Sequence, residues 1–196
     1  MYRYKNDQQL RGDVMADTVL LLKELENVFY GLTCLVLGID ITDPANEGKV
    51  RIAWPTNGAP TWGINDDVAF LRVTPQDDKL TRHQDIIFTG NNPLWAAQET
   101  GYTRVHKIDW TLYGPNSYDR SDLIRYNIFS QEYTTKLKAN NLFLITDVPM
   151  PTRLPELYNG QWWERTDFSA TFNELVVRRK EIPYILSPNY KIIENK

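Results

Sequence analysis

The sequence predicts an α+β fold: a mixed or antiparallel sheet with two main helices packed on one face, long loops and an extended C-terminal strand. Three features point there. Strand-like runs cluster together instead of alternating strictly with helices. Two segments carry broad helical periodicity. A run over 162–180 alternates apolar and polar residues without a single Gly or Pro. At 196 residues and 42% hydrophobic content the chain suits one domain, 1–196, with a sizeable core.

The first dozen residues, 1–12, are polar and charged and read as a flexible N-terminus without a secretory h-region. Met15, Val19, Leu22, Leu25 and Phe29 recur at steps of three or four, widened by Leu21, Val28 and Leu32, which predicts a helix over about 14–31. Asp13 or Asp17 could cap it, and Gly31 stands near its end. Residues 34–39 read as a short buried strand or its lead-in, and 40–48 as a loop marked by Asp43-Pro44 and Glu47-Gly48. Val50, Ile52 and Trp54 share one face of a half-buried strand over 49–54 that Pro55 stops. An irregular connector follows over 56–65, then a strand over 68–73.

Residues 76–101 read as a long loop with a short strand conceivable at 85–88, an arm that reaches a neighbour. The clearest strand spans 102–113. Tyr102, His106, Ile108, Trp110 and Leu112 lie on one face, and Thr103, Lys107, Asp109 and Thr111 on the other. Gly114-Pro115-Asn116 turns it into a second helix over about 117–140. Leu123, Tyr126, Phe129, Tyr133 and Leu137 form its core stripe. Ile124 and Ile128 fall outside that stripe. They are stray surface apolars, or a second contact with a loop of the same chain or with another subunit. A strand over 142–148, a Pro-rich stretch over 150–160, the long strand and a last short strand over 184–194, interrupted by Pro188, complete the chain. The long strand either bends at a bulge or runs past its sheet to present an edge, which invites pairing with another chain.

Composition excludes several classes of function. The net charge is −3, from 22 basic and 25 acidic residues, which disfavours bulk electrostatic binding of nucleic acid. Cys34 is the only cysteine, so neither an intramolecular disulfide nor a cysteine metal cage can form. No apolar run is long enough for a membrane-spanning helix. The two histidines, His83 and His106, form no HxxxH or HExxH pattern, and no phosphate-binding glycine loop or GxSxG elbow occurs. His106 reads as a satisfied core or interface histidine and His83 as a surface one. The pairs Asp66-Asp67 and Asp77-Asp78 are the one hint of magnesium chemistry. Loop Asp pairs are usually solvated turns, so Asp77 and Asp78 are read as a candidate acidic loop. No catalytic, cofactor or metal site is expected. The run Arg178-Arg179-Lys180 reads as a solvated strand end, with an acidic partner surface or DNA phosphates as its alternative.

Several stretches carry a resemblance. They are Val50-Arg51-Ile52-Ala53-Trp54-Pro55 with Gly58-Ala59-Pro60, Val68-Ala69-Phe70-Leu71-Arg72-Val73 and Tyr102-Thr103-Arg104-Val105. Trp110-Thr111-Leu112-Tyr113-Gly114-Pro115-Asn116, Leu154-Pro155-Glu156-Leu157 and Gln161-Trp162-Trp163-Glu164-Arg165-Thr166-Asp167-Phe168 follow. In this order and spacing they resemble the neck or tail terminator proteins of tailed bacteriophages, over roughly residues 14–193. The likeness is to the neck-terminator family, with its YGPN turn before the second helix and its E-R-x-D lead into a long strand.

The resemblance implies a structural virion protein without enzymatic activity or cofactor, made and assembled in the host bacterial cytoplasm. Such subunits form a ring, a hexamer, that caps the head-proximal end of the tail tube and stops its growth. The ring joins the tube to the head connector or stopper protein, and genomic DNA passes through its lumen without specific binding. The partners implied are thus further copies of the chain, the tail tube protein and the connector, with no membrane. Closed rings use head-to-tail contacts between two different patches. Ile124 and Ile128 are candidates for one, and Trp162, Trp163, Glu164 and Arg165 for the other. Glu164 and Arg165, adjacent in a strand, should face opposite ways, and at least one is expected to pair across a subunit boundary. A charge of −3 per subunit gives roughly −18 for six, which suits a lumen that repels phosphate. The competing readings are another head–tail joining protein (a stopper or tail-completion protein) and, from a different class, a metal-dependent nucleic-acid-processing enzyme using the Asp pairs.

Overall fold

The computed structural model describes residues 17–52, 60–90 and 94–183, the Leu80 side chain excepted. The fold is α+β. The elements run α1 (Leu22–Val36), β1 (Val50–Ile52), β2 (Val68–Gln76), β3 (Gln84–Thr89), β4 (Trp95–Tyr113), α2 (Ser117–Asn127) and α3 (Gln131–Lys138). They continue with β5 (Leu142–Leu144), β6 (Thr152–Arg153), β7 (Glu156–Tyr158), β8 (Gln161–Trp163) and β9 (Arg165–Pro183). One sheet has the order β1-β2-β4-β9-β5, with β3 beside β4 and β6 beside β9, and β7 and β8 form a separate hairpin. Among the described residues only the β1–β2 pair is parallel; the other pairs are antiparallel.

The alternation read from the sequence decides the faces of the sheet. Ala69, Leu71 and Val73 of β2 meet Leu112, Trp110 and Ile108 of β4, which in turn meet Thr166, Phe168 and Ala170 of β9. This face carries the main core, closed by Leu25, Phe29 and Leu32 of α1, Ile124 of α2, Ile128, and Tyr133 and Leu137 of α3. Phe29 and Phe172 lie 4.8 Å apart between ring centres, and Trp110 stacks on Phe168 at 5.2 Å. The Trp110 Nε1–H donates to Thr33 Oγ1 at 2.9 Å, so the one polar group of that ring is satisfied inside the core. Each large apolar side chain buried here contributes about 1.5–3 kcal/mol.

Three expectations about helices need correction. The first helix begins at Leu22, not near residue 14, and ends at Val36, so Cys34 is helical and not in a strand. Residues 17–20 are held extended instead: the Thr18 N–H donates to the Val177 carbonyl at 3.0 Å and the Arg179 N–H to Asp17 Oδ1 at 2.9 Å. Gly38, not Gly31, ends the helix. At φ 65° it allows the Ile39 N–H to reach the Cys34 carbonyl at 2.8 Å and its own N–H to reach Leu35 at 3.2 Å. Gly31 lies inside α1.

The second helix is two helices. The chain breaks after Asn127, and Ser130 caps α3 with its Oγ accepting from the Tyr133 N–H at 3.3 Å. The break re-phases the apolar stripe. Ile124 and Ile128 are 1% and 0% exposed in the chain's own core, whereas Leu123, Tyr126 and Phe129 are 42%, 75% and 46% exposed. A single continuous wheel assigned these two groups the wrong way round. Ile124 and Ile128 therefore make their contact within the chain and leave the list of interface residues.

The segment 76–101 is not a loop. A 3₁₀ turn (Lys79–Arg82) leads into β3, which pairs along the first part of β4. The strand expected over 142–148 is confined to 142–144, and the long C-terminal run is divided at Glu164 into β8 and β9. Trp54, the N-terminal residues 1–12 and the strand expected over 184–194 lie outside the described residues.

Gly114 shows why the YGPN turn has its sequence. Its φ is 104°, and a Cβ there would lie 2.6 Å from both the Asp66 carbonyl oxygen and Asp67 Oδ1. Asp67 occupies that space because it accepts from the Asn116 N–H at 3.1 Å and Asn116 Nδ2 at 2.8 Å, with Arg120 at 3.3 Å. A carboxylate from the loop before β2 thus anchors the start of α2, a site that favours negative charge.

One buried polar cluster sits where the helical layer ends. Glu174 is fully buried on the core face of β9. It accepts from Arg104 (2.9 and 2.6 Å), His106 Nε2 lies 2.9 Å away, and the Leu20 N–H donates to it at 3.0 Å. Arg104 also donates to the Leu20 carbonyl at 2.7 Å. Burial pushes the Glu174 carboxyl up, but the hydrogen bonds from His106, Leu20 and Arg104 and the Arg104 charge outweigh it and hold it below the usual glutamate range.

Three outcomes are expected. In chemical denaturation Ile128→Ala lowers stability by about 2–5 kcal/mol, while Tyr126→Ala stays within about 0.5 kcal/mol of the parent. Gly114→Ala costs about 2 kcal/mol or more, because strain and contact with Asp67 add. The stability that Glu174 supplies is complete above its ordinary value, about 4.5, and is lost as pH falls through the depressed one. The melting temperature should therefore drop on acidification below that value, and Glu174→Gln should lower it at neutral pH and flatten the acid limb.

Candidate assembly surface

β4 and β9 are each 19 residues long and pair along their whole length, from Tyr113 with Arg165 to Trp95 with Pro183. The last backbone tie from the α3–β5 corner to β9 is the Leu175 N–H to the Asn141 carbonyl, 2.9 Å. Beyond it the two strands continue with β3 as a three-stranded extension. From Tyr102 to its tip at Trp95 this reaches about 23 Å at 3.3 Å per residue. Residues 17–18 and the turn Lys79–Arg82 lie against it.

The tip is apolar on both faces. Pairing places Ile86 and Phe88 on the helix-bearing face, and Ile87 and Trp95 on the other. Their exposures are 51%, 63%, 58% and 45%, and Leu94 adds 53%. All six residues of β3 are exposed. Sequence reasoning marked this arm but not its residues. The signal was the unbroken Ile86-Ile87-Phe88, since consecutive strand residues cannot all face one core.

The β7–β8 hairpin forms a second surface. Asn159 (φ 49°) and Gly160 (φ 75°) make its two-residue turn, as Asn-Gly favours. Trp162 stands opposite Leu157 on the outer side, 67% and 58% exposed. Trp163 points inward with Val68, Phe70 and Tyr113 in a second core beneath the sheet, its ring 6.2 Å from Trp62. Of the two tryptophans, then, only Trp162 is presented to solvent.

Glu164 and Arg165 both find partners in their own chain. Glu164 pairs with Arg153 at 2.8 Å. Arg165 grips Asp167 through Nε and Nη2 (2.9 and 2.8 Å) and reaches Glu156 at 3.2 Å. The Asp167 hydrogen bonds raise the guanidinium's affinity for its proton further. Tyr113 donates to Glu156 at 3.0 Å, and burial together with that bond pushes its hydroxyl up to about 12. This chain of contacts clamps the hairpin onto the sheet from within the chain. The E-R-x-D motif is thus a device of the subunit's own fold.

A groove of about 520 Å³ lies on the helix-free face, between the sheet and residues 149–154. Arg72, Lys107 and Arg165 on its wall alternate with Asp109 and Asp167, with Lys107 and Asp109 2.7 Å apart. The acidic residues Asp77 and Asp78 are exposed beside the 3₁₀ turn, where Asp77 pairs with Arg82. Arg178 donates to the Tyr102 hydroxyl at 2.9 Å, and Arg179 to Glu99 at 2.8 Å. Among the described residues no group of three or more His, Cys, Asp or Glu side chains could hold a metal ion. The His106 ring faces Glu174 in the core, and no helix among these residues is long and apolar enough to cross a membrane.

The family model described as phage neck terminator protein matches residues 23–196, from the first turn of α1 onward. No curated protein matches the chain. The stretch matched takes in the Gly114 turn, the Arg165 clamp and the whole of the β4–β9 ribbon. With these elements inside a match that covers most of its length, the chain belongs to the phage neck terminator family, structural proteins of the bacteriophage neck.

Proposed function

We propose that this chain is the subunit of a hexameric ring that caps the head-proximal end of the phage tail tube. The ring stops tube polymerisation and joins the tube to the head connector. DNA passes through its lumen, and the subunit acts by assembly without catalysis, in the virion neck after synthesis in the host cytoplasm. Family membership supplies the setting. The observation that carries the proposal is the extension whose tip is apolar on both faces. A core can cover one face of such a ribbon; covering both calls for neighbouring molecules. The outward pair Leu157 and Trp162 supplies a second, different patch, as a head-to-tail ring needs.

Light scattering on the purified protein tests the ring: a mass of six chains is expected, and a chain that stays single at all concentrations overturns it. Added to polymerising tail tube protein, the ring should halt growth. Unimpeded growth with binding to the connector alone would favour a stopper. Phe88→Asp should weaken assembly about tenfold or more while leaving the subunit's own stability within about 0.5 kcal/mol.

A further inference from the structure

The extension ends in two unlike edges. On one side β3 pairs only with β4 among the described residues, so its outer row of N–H and C=O groups has no partner there. On the other side Thr18 and Asp17 occupy β9 at Val177 and Arg179, and Pro183 pairs with Trp95. Thr89, Trp95 and Pro183 all lie at the tip.

Thirteen further residues, 184–196, follow Pro183 in the sequence. Their sequence carries strand-favouring types, Tyr184, Ile185, Tyr190, Ile192 and Ile193, interrupted by Pro188, which an edge strand accommodates where the proline nitrogen faces away from its partner. Extended, residues 184–194 would reach about 35 Å, ample for the roughly 20 Å of β3. Two places in the same chain could receive them, and both are poor. The outer edge of β9 is taken from Arg179 inward by Asp17 and Thr18. From Pro183 the free edge of β3 lies beyond β4, at the end where Thr89 of β3 and Trp95 of β4 stand, and crossed connections at one end of a sheet are avoided.

We infer that residues 184–194 of one copy add as a strand to the free edge of β3 in the neighbouring copy. Main-chain hydrogen bonds to an exposed edge supply the affinity. Ile86 and Phe88 on one face and Ile87 on the other give the incoming apolar residues cross-strand neighbours on both sides. Donor and acceptor are different parts of the surface, so the contact is head-to-tail and closes when repeated around an axis. The inference rests on the ring reading above and names the device that joins its subunits.

Two variants separate donor from acceptor. A chain ending at Pro183 can accept but not donate. A full-length chain with a proline in β3 can donate but not accept. Backbone groups alternate sides along a strand, so of Ile86→Pro and Ile87→Pro one removes an outward N–H and the other breaks pairing with β4. The one that keeps the wild-type circular dichroism and melting temperature is used. By light scattering each variant alone should be a single chain, and their equimolar mixture should stop at a dimer. A labelled peptide of residues 184–196 should bind the truncated chain, and the β3 proline should weaken that binding at least tenfold. If both prolines unfold the subunit, excess peptide should still disperse the wild-type ring. A folded truncated chain that assembles to the wild-type mass, a peptide that ignores the β3 proline, or a ring indifferent to excess peptide overturns strand addition and leaves the ring standing. A wild-type chain that remains single overturns the ring reading itself, and the strand addition with it.

Discussion

The antiparallel ribbon of β4 and β9 is the constraint on which the rest depends. The pairing holds one register along both strands, so every side chain of each strand is committed to a face. In its first half that commitment builds the core. Ile108, Trp110 and Leu112 alternate inward beside Phe168, Ala170 and Phe172, and α1, α2 and α3 close over them. In its second half the same register continues where the helices have ended, and it leaves apolar side chains uncovered. Core and exposed apolar surface are therefore two ends of one ribbon.

Glu174 marks the boundary. A buried carboxylate is costly unless it is fully hydrogen-bonded, and this one is met by Arg104, His106 and the Leu20 amide. The cluster lies where residues 17–20 cross to the ribbon before α1 begins, so one set of contacts ties that segment to both β4 and β9. A slip of β4 against β9 would separate Arg104 from Glu174 and leave the carboxylate buried without its cation. The polar cluster thereby adds to the register that the buried apolar face already specifies.

The motifs shared with neck terminators act inside the subunit. Gly114 yields its Cβ space to Asp67, which holds Asn116 and Arg120 at the head of α2. Arg165 joins Asp167, Glu156 and, through Glu156, Tyr113, and so fastens the aromatic hairpin to the sheet. With the hairpin fastened, Trp163 goes into a core and Trp162 is turned out. A residue pattern that looks like an interface signature in one dimension is here the scaffold that turns one tryptophan inward and the other out to solvent.

The sequence by itself determined the α+β class, the faces of β4 and β9, the turn at Gly114 and the overlong C-terminal strand. These follow from local rules: a period of two in a strand, and a glycine where φ is positive. It also marked residues 76–101 as an arm. Only the tertiary structure decided the phase of α2 and α3, because a single break at Ser130 rotates everything after it and no wheel drawn through the break can show that. The tertiary structure alone also decided that Ile124, Ile128 and Trp163 go inward while Ile86, Ile87, Phe88 and Trp162 stay out. Hydrophobicity says that a side chain seeks cover; whether its own chain provides that cover depends on where the helical layer stops, and that is set by contacts between residues far apart in sequence.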